Sequence, residues 1–194
     1  MKSASKLKSN LIFWGIFGTI IVFLYATPWG GAFRDWMGGV FLSSPNIEEH
    51  SNLSESEKYL DSDWQLNSTN NNEVWLSDTD QPIFLNIWAT WCGPCRSELP
   101  SILSLEEKYG DKVTFLLISP DESIEKIKTF AKKEGVTFPC YNSSDRPPTN
   151  LYTSTYPSTF IINGDKEIVF KAIGAYDWDD EDIHTLLDDL IKNS

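Results

Sequence analysis

The sequence predicts an α/β protein: a central mixed sheet flanked by helices, preceded by an N-terminal transmembrane helix. Ile83–Ala89 (IFLNIWA) and Val113–Ser119 (VTFLLIS) are near-continuous apolar runs, the pattern of strands buried on both faces of a sheet. The segments after each run repeat apolar residues at helical spacing. Leu11–Trp29 carries no charge over 19 residues, roughly 28 Å as a helix and close to the hydrocarbon thickness of a bilayer.

Lys2, Lys6 and Lys8 before that stretch, with Arg34 and Asp35 after it, place residues 1–10 in the cytoplasm and everything beyond about residue 30 outside. A cleaved signal peptide is the alternative. Tyr25-Ala26-Thr27-Pro28-Trp29 fits its small-x-small cleavage site poorly, so residues 11–29 are read as an uncleaved anchor. Residues 30–62 form a juxtamembrane segment. Trp36, Met37, Val40, Phe41 and Leu42 either rest on the membrane surface or belong to a plain connector, and Glu55–Ser62 is a short helix or linker.

The folded domain is expected over residues 63–194. Trp64–Leu66 and Val74–Leu76 are strand candidates around the turn Asn70-Asn71-Asn72. A helix starts at Gly93, carries Leu99, Ile102, Leu103 and Leu105, is kinked by Pro100 and ends at Gly110. A second runs from about Glu122 to Glu134, with Ile124, Ile127, Phe130 and Ala131 on one face and Gly135 as its stop. Val136–Tyr141 is a short strand, and Ser158–Asn163 with Glu167–Gly174 forms a hairpin around Gly164-Asp165. Asp179–Lys192 is the last helix, with acids at its amino end where the helix dipole favours them. This order implies a mixed sheet with helices on both faces.

The net charge of −12 excludes a nucleic-acid partner, which needs clustered Lys and Arg. Three cysteines are too few for a disulfide framework. A structural zinc site wants about four ligands, and the only histidines are His50 and His184, so no metal is expected.

Cys92 and Cys95 stand in Trp91-Cys92-Gly93-Pro94-Cys95, where the first buried strand gives way to a helix. Backbone donors at a helix start have no internal partner and the dipole is positive there, so a thiolate at Cys92 is favoured and its pKa falls below the ordinary thiol value. Gly93 and Pro94 suit the tight entry, because the N–H that proline lacks goes unused in a first turn. Cys95, one turn on and deeper, makes the pair an exposed attacking thiol and a shielded resolving thiol. Such thiols exchange electrons with a partner disulfide through a mixed disulfide. The bland alternative is two small buried hydrophobes.

These residues and the strand before them closely resemble the thioredoxin superfamily, which implies a thioredoxin-like fold over about residues 63–194. The basic start, the anchor, Glu98-Leu99-Pro100 and Tyr156-Pro157-Ser158-Thr159-Phe160 resemble membrane-anchored, extracytoplasmic thiol-disulfide oxidoreductases of the TlpA and ResA type. The resemblance implies an enzyme with Cys92 and Cys95 as its catalytic pair and no cofactor beyond their disulfide. It implies a cis Pro157 facing the pair, and Tyr156 offering its backbone to an extended substrate. Trp91, Gly93 and Pro94 complete the substrate-binding rim. Its partners are disulfides of exported proteins, as in cytochrome c maturation, and a transmembrane electron donor.

One departure matters. Cytoplasmic thioredoxins carry a buried Asp six positions before the first cysteine, and this chain has Asn86, which cannot titrate. Glu98, three residues past Cys95 on the same helix face, matches a glutamate found near the pair in the TlpA and ResA type, and with that resemblance is read as the proton acceptor. The alternative is a solvated helix carboxylate.

Gly-Pro between the cysteines is the dipeptide of reducing thioredoxins and favours reduction; a disulfide oxidase or isomerase on the same scaffold stays open. Copper handling is more distant, since it uses a wider cysteine spacing and a downstream histidine. A peroxidase lacks a distinct peroxidatic cysteine arrangement here. Trp88 is expected in the core, Trp91 at the surface, and Cys140 as a small buried residue. The Asn-x-Ser/Thr matches at Asn52, Asn67 and Asn142 matter only in a eukaryotic secretory pathway.

Overall fold

In the computed structural model residues 12–23, 42–120 and 123–193 are described, and the chain divides into two units between Phe41 and Leu42. Helix α1 covers residues 12–23 of the first unit and exposes its apolar side chains, the rings of Phe13, Trp14 and Phe17 lying 5.8 to 6.3 Å apart. Among the described residues no helix is long and apolar enough to cross a membrane. Residues 11 and 24–29 of the expected span, and Trp36, Met37, Val40 and Phe41, lie outside the described residues.

The second unit opens with two one-turn helices, α2 (Ile47–His50) and α3 (Glu55–Lys58). Asn46 caps α2 by accepting from Glu49 N–H, and Ser54 with Glu57 forms a capping box on α3. Residues 42–62 read from sequence as part of a linker. In the structure they belong to the folded unit, with Ile47 packed on one hydrophobic cluster and Leu53 and Leu60 on the other.

Seven strands follow: β1 (Gln65–Ser68), β2 (Glu73–Trp75), β3 (Ile83–Ile87), β4 (Thr114–Ile118), β5 (Cys140–Asn142), β6 (Ser158–Ile162) and β7 (Ile168–Ile173). The long helices are α4 (Gly93–Tyr109), α5 (Ile124–Glu134) and α6 (Glu181–Lys192). The strands form one mixed sheet in the order β2-β1-β5-β4-β3-β6-β7, with β3, β4 and β5 parallel and the other pairings antiparallel. β5 starts at Cys140 and not at Val136, because Pro139 has no N–H to give a ladder. Gly135 ends α5 as expected, in the left-handed region at φ 76°.

Every residue of β3 is buried, and alternation sends its side chains to two cores. Phe84 joins Phe115, Leu117, Phe170 and the inner faces of α4, α5 and α6. Ile83, Leu85 and Ile87 join Trp64, Leu66, Leu76, Leu116 and Leu151. The sequence reading put helices on both faces; the three long ones share the first. For α4 and α5 the reason is topological: β3-α4-β4 and β4-α5-β5 step across the sheet in the same direction, and right-handed crossovers of that kind stack their helices on one side; α6 joins them by packing Ile183 and Leu187 into the same core. Loops and the segment before β1 close the other face.

Leu105 is fully buried beneath α4. Leu105→Ala is expected to lower unfolding free energy by about 2–5 kcal/mol, measured as a shift in urea midpoint at constant slope.

Candidate active site

α4 begins just past the carboxyl end of β3, so its amino terminus points at the edge of the sheet. Cys92 is the N-cap residue, in extended backbone at φ −77° and ψ 109°, and its Sγ accepts a hydrogen bond from Cys95 N–H at 3.2 Å. The Cys92 carbonyl opens the helical ladder by accepting from Arg96 N–H. Pro94 lies in the first turn, and α4 runs through Pro100 without interruption. The two sulfurs are bonded at 2.05 Å, with Cα atoms 5.3 Å apart.

Both cysteines are 4% exposed, which corrects the expectation of an exposed attacking thiol. The bonded sulfurs lie beneath the surface, and what solvent meets is Gly93, Pro94 and Trp91, the last 68% exposed. A methyl group added at Gly93 meets nothing within 4 Å, so the chain does not itself require glycine there.

The Tyr156–Pro157 peptide bond is cis, and the Pro157 carbonyl accepts from Gly174 N–H at 2.9 Å. The Tyr156 ring lies 6.0 Å from that of Trp91. Between them opens a groove of about 490 Å³ whose lining includes Trp64, Ile87, Leu151 and Tyr152. Trp88 is buried against Phe130, and Cys140 is a free, fully buried thiol whose pKa burial pushes up to about 12.

Glu98 is 0% exposed, so it is no solvated helix carboxylate. Its Oε1 accepts from Asn86 Nδ2 at 2.8 Å, and its Oε2 from Trp178 Nε1 at 2.8 Å and from the Tyr176 backbone N–H at 3.3 Å. Asn86 Nδ2 also donates to Thr159 Oγ1 at 2.8 Å, tying β3, β6 and α4 together. Burial raises the Glu98 pKa to about 7, against the pull of the three donors, which favour the charged form. Trp178 and Tyr176 escaped the sequence reading, and Thr159 entered it only as part of the stretch around Pro157, not as a partner of Asn86. They lie 60 to 80 residues from Glu98 in the chain, and only the fold brings them in.

Among the described residues no cluster of His, Cys, Asp or Glu is arranged to hold a metal ion. Residues 62–171, more than half of the chain, match the AhpC/TSA family. The chain belongs to the AhpC/TSA family. This AhpC/TSA member is 34% identical over 113 residues to the thiol-disulfide oxidoreductase ResA of Bacillus subtilis (strain 168), covering 57% of this chain and 63% of that protein. It is 30% identical over 105 residues to the thioredoxin-like protein YneN of the same strain, covering 52% and 62%. The chain thus matches somewhat less than two thirds of the length of these curated relatives. A DsbF homologue from Corynebacterium diphtheriae superposes with a TM-score of 0.58 at 24% identity, covering 73% of this chain and 90% of that one. The fold is thioredoxin-like.

The folded state keeps the Glu98 proton up to about pH 7, whereas the unfolded chain loses it near pH 4.5. Between those values the folded state binds more protons, so this carboxyl makes stability fall as pH rises. Glu98→Gln, neutral throughout, is expected to gain on the wild type by about 3 kcal/mol between pH 4.5 and 8. Urea midpoints at each pH measure the gap, and a pH-independent gap contradicts the assignment.

Proposed function

We propose that the chain is a membrane-anchored, extracytoplasmic thiol-disulfide oxidoreductase that reduces disulfides of exported proteins through Cys92 and Cys95. One observation carries this reading: the bonded pair caps α4, with a buried carboxyl one turn deeper on the same helix. The 34% identity to a protein named as a thiol-disulfide oxidoreductase supports it.

In the dithiol state Cys92 is the thiolate, favoured by the unpaired N–H groups and dipole at the start of α4. Its sulfur attacks one sulfur of the substrate disulfide. That S–S bond breaks, a mixed disulfide forms, and the other substrate sulfur leaves as a thiolate that takes a proton from solvent. Glu98 accepts the proton of Cys95, whose thiolate then attacks Cys92 Sγ, forming the Cys92–Cys95 bond and releasing the second substrate thiolate. Two electrons have passed to the substrate, and a dithiol on a transmembrane partner returns them. A carboxyl with pKa about 7 suits this role, since an acid–base group works best near the operating pH. No cofactor is needed, because the reduced Cys92–Cys95 dithiol itself carries the electron pair and becomes the disulfide when it gives the pair up.

Trp91, Gly93, Pro94, Tyr156 and Pro157 form the substrate rim. Gly93 leaves the approach to Cys92 open, and the Tyr156 backbone pairs with an extended segment of the client. Residues 11–29 hold the domain at the membrane with the amino terminus cytoplasmic, supported by the uncharged stretch and the lysines before it. Apocytochromes c are the clients that the ResA-type resemblance implies. Oxidase or isomerase action on the same pair is distinguished by its reduction potential, which for a reductant lies at the thioredoxin end of the scale.

Cys95→Ser is expected to hold clients as reductant-sensitive adducts of Cys92, and Cys92→Ser to form none. The wild type should reduce insulin disulfides, Glu98→Gln about 10²-fold more slowly, and Cys92→Ser only at background. Absence of adducts together with wild-type inactivity on insulin sinks the proposal.

A further inference from the structure

Two of the three donors to Glu98 come from residues 174–180, the connector between β7 and α6. Its far end is fixed to α4: Trp178 N–H donates to Ser101 Oγ at 3.0 Å, and Ser104 Oγ donates to Asp179 Oδ2 at 2.6 Å. Its near end is fixed at Gly174, which donates to the Pro157 carbonyl.

Tyr176, between these points, lies edge-on to the Trp178 ring at 5.8 Å, and the segment ahead of β1 braces it and the residues after it. Asp177 N–H donates to the Ser43 carbonyl at 3.1 Å, and Ser44 Oγ donates to Asp180 Oδ2 at 2.6 Å. The half-buried His50 ring stands edge-on to Tyr176 at 5.4 Å and to Phe170 at 5.3 Å. The ring is itself pinned, because its Nδ1–H donates to the Lys171 carbonyl at 3.1 Å. Ile47 packs on the same core.

We propose that residues 42–50, and His50 above all, are a positioning element of the active site that holds Tyr176 so that its backbone N–H stays on Glu98. The proposal rests on Glu98 as the proton acceptor described above. An N–H donor stabilises the carboxylate over the acid, so its loss raises the proton affinity of Glu98. The groups facing Glu98 are Asn86 from β3, Tyr176 N–H and Trp178 from the connector, and Cys95 one turn back on α4. None carries charge while the pair is oxidised. The titratable groups on and around the positioning segment are Glu48, Glu49 and His50 on it, the Tyr176 phenol, Asp177 and Asp180 of the connector, and the Lys171–Glu57 ion pair at 3.6 Å.

The test is a pH titration of the Glu98 carboxyl by difference infrared spectroscopy on the full, oxidised chain, the band being assigned by its absence in Glu98→Gln. The wild-type inflection is expected near pH 7, and in His50→Ala it should move up by roughly 0.5–1 pH unit. His50→Phe keeps a ring against Tyr176 while removing the imidazole and its hydrogen bond to the Lys171 carbonyl, so it should recover most of the wild-type value. If His50→Ala does not fold, Ile47→Ala loosens the same segment and should move the inflection in the same direction. A folded His50→Ala or Ile47→Ala that titrates as the wild type overturns the proposal, and so does His50→Phe shifted as far as His50→Ala, because the ring contact on Tyr176 would then not be what holds it. No substrate enters the measurement, so its outcome is independent of whether the protein exchanges disulfides.

Discussion

The carboxyl of Glu98, sealed between helix α4 and the sheet, is the constraint around which the rest is arranged. An unpaired carboxylate in such a place costs several kcal/mol, and the fold offsets this with three hydrogen-bond donors from two directions. Each donor requires something distant to be in place. Asn86 has to sit near the carboxyl end of β3, and the connector after β7 has to fold back over α4. The register of the sheet, the seating of the helix and the path of the C-terminal segment thus converge on one side chain.

Its surroundings are one-sided. All three partners give hydrogen bonds and none accepts one, so they suit the ionised form, while exclusion of water suits the protonated form. The balance falls near neutrality. A group so poised changes protonation with little driving force, and the nearest redox chemistry on its own helix is one turn away at Cys95. The free thiol of Cys140 has the opposite character: burial pushes its pKa up to about 12 and leaves it inert.

Much of this was legible in the sequence for identifiable reasons. β3, β4 and the helix between them are written in unbroken apolar runs and helical spacing, signals that depend only on neighbours in the chain. The pair at the start of α4 was legible because N-terminal helix chemistry is local, and Glu98 because three residues along a helix is a fixed geometry. Where the reading failed, the cause was long-range. That α4 and α5 share a face follows from strand order, which turns on a three-residue strand, β5, whose pairing no pattern announces. Residues 42–62 looked like a linker because they are polar and aperiodic. They fold onto the domain through caps and a few apolar anchors, Ile47, Leu53 and Leu60, too sparse to register as a period. Cys92 looked exposed because helix position says nothing of which way a bonded sulfur turns.

The identity of residue 86 can be argued from the same geometry. Its side-chain nitrogen lies 2.8 Å from a Glu98 oxygen. An Asp there, the residue of cytoplasmic thioredoxins, would set two carboxyls in direct contact within a dry core, where two negative charges cannot coexist and one proton has to be shared between them. Asn removes that conflict by supplying a donor in place of a second acid, and it uses its other N–H on Thr159 to hold its own orientation. The non-titrating residue on the strand and the titrating residue on the helix are therefore one arrangement: exchanging either alone leaves a buried acceptor without a donor, or a buried acid against another.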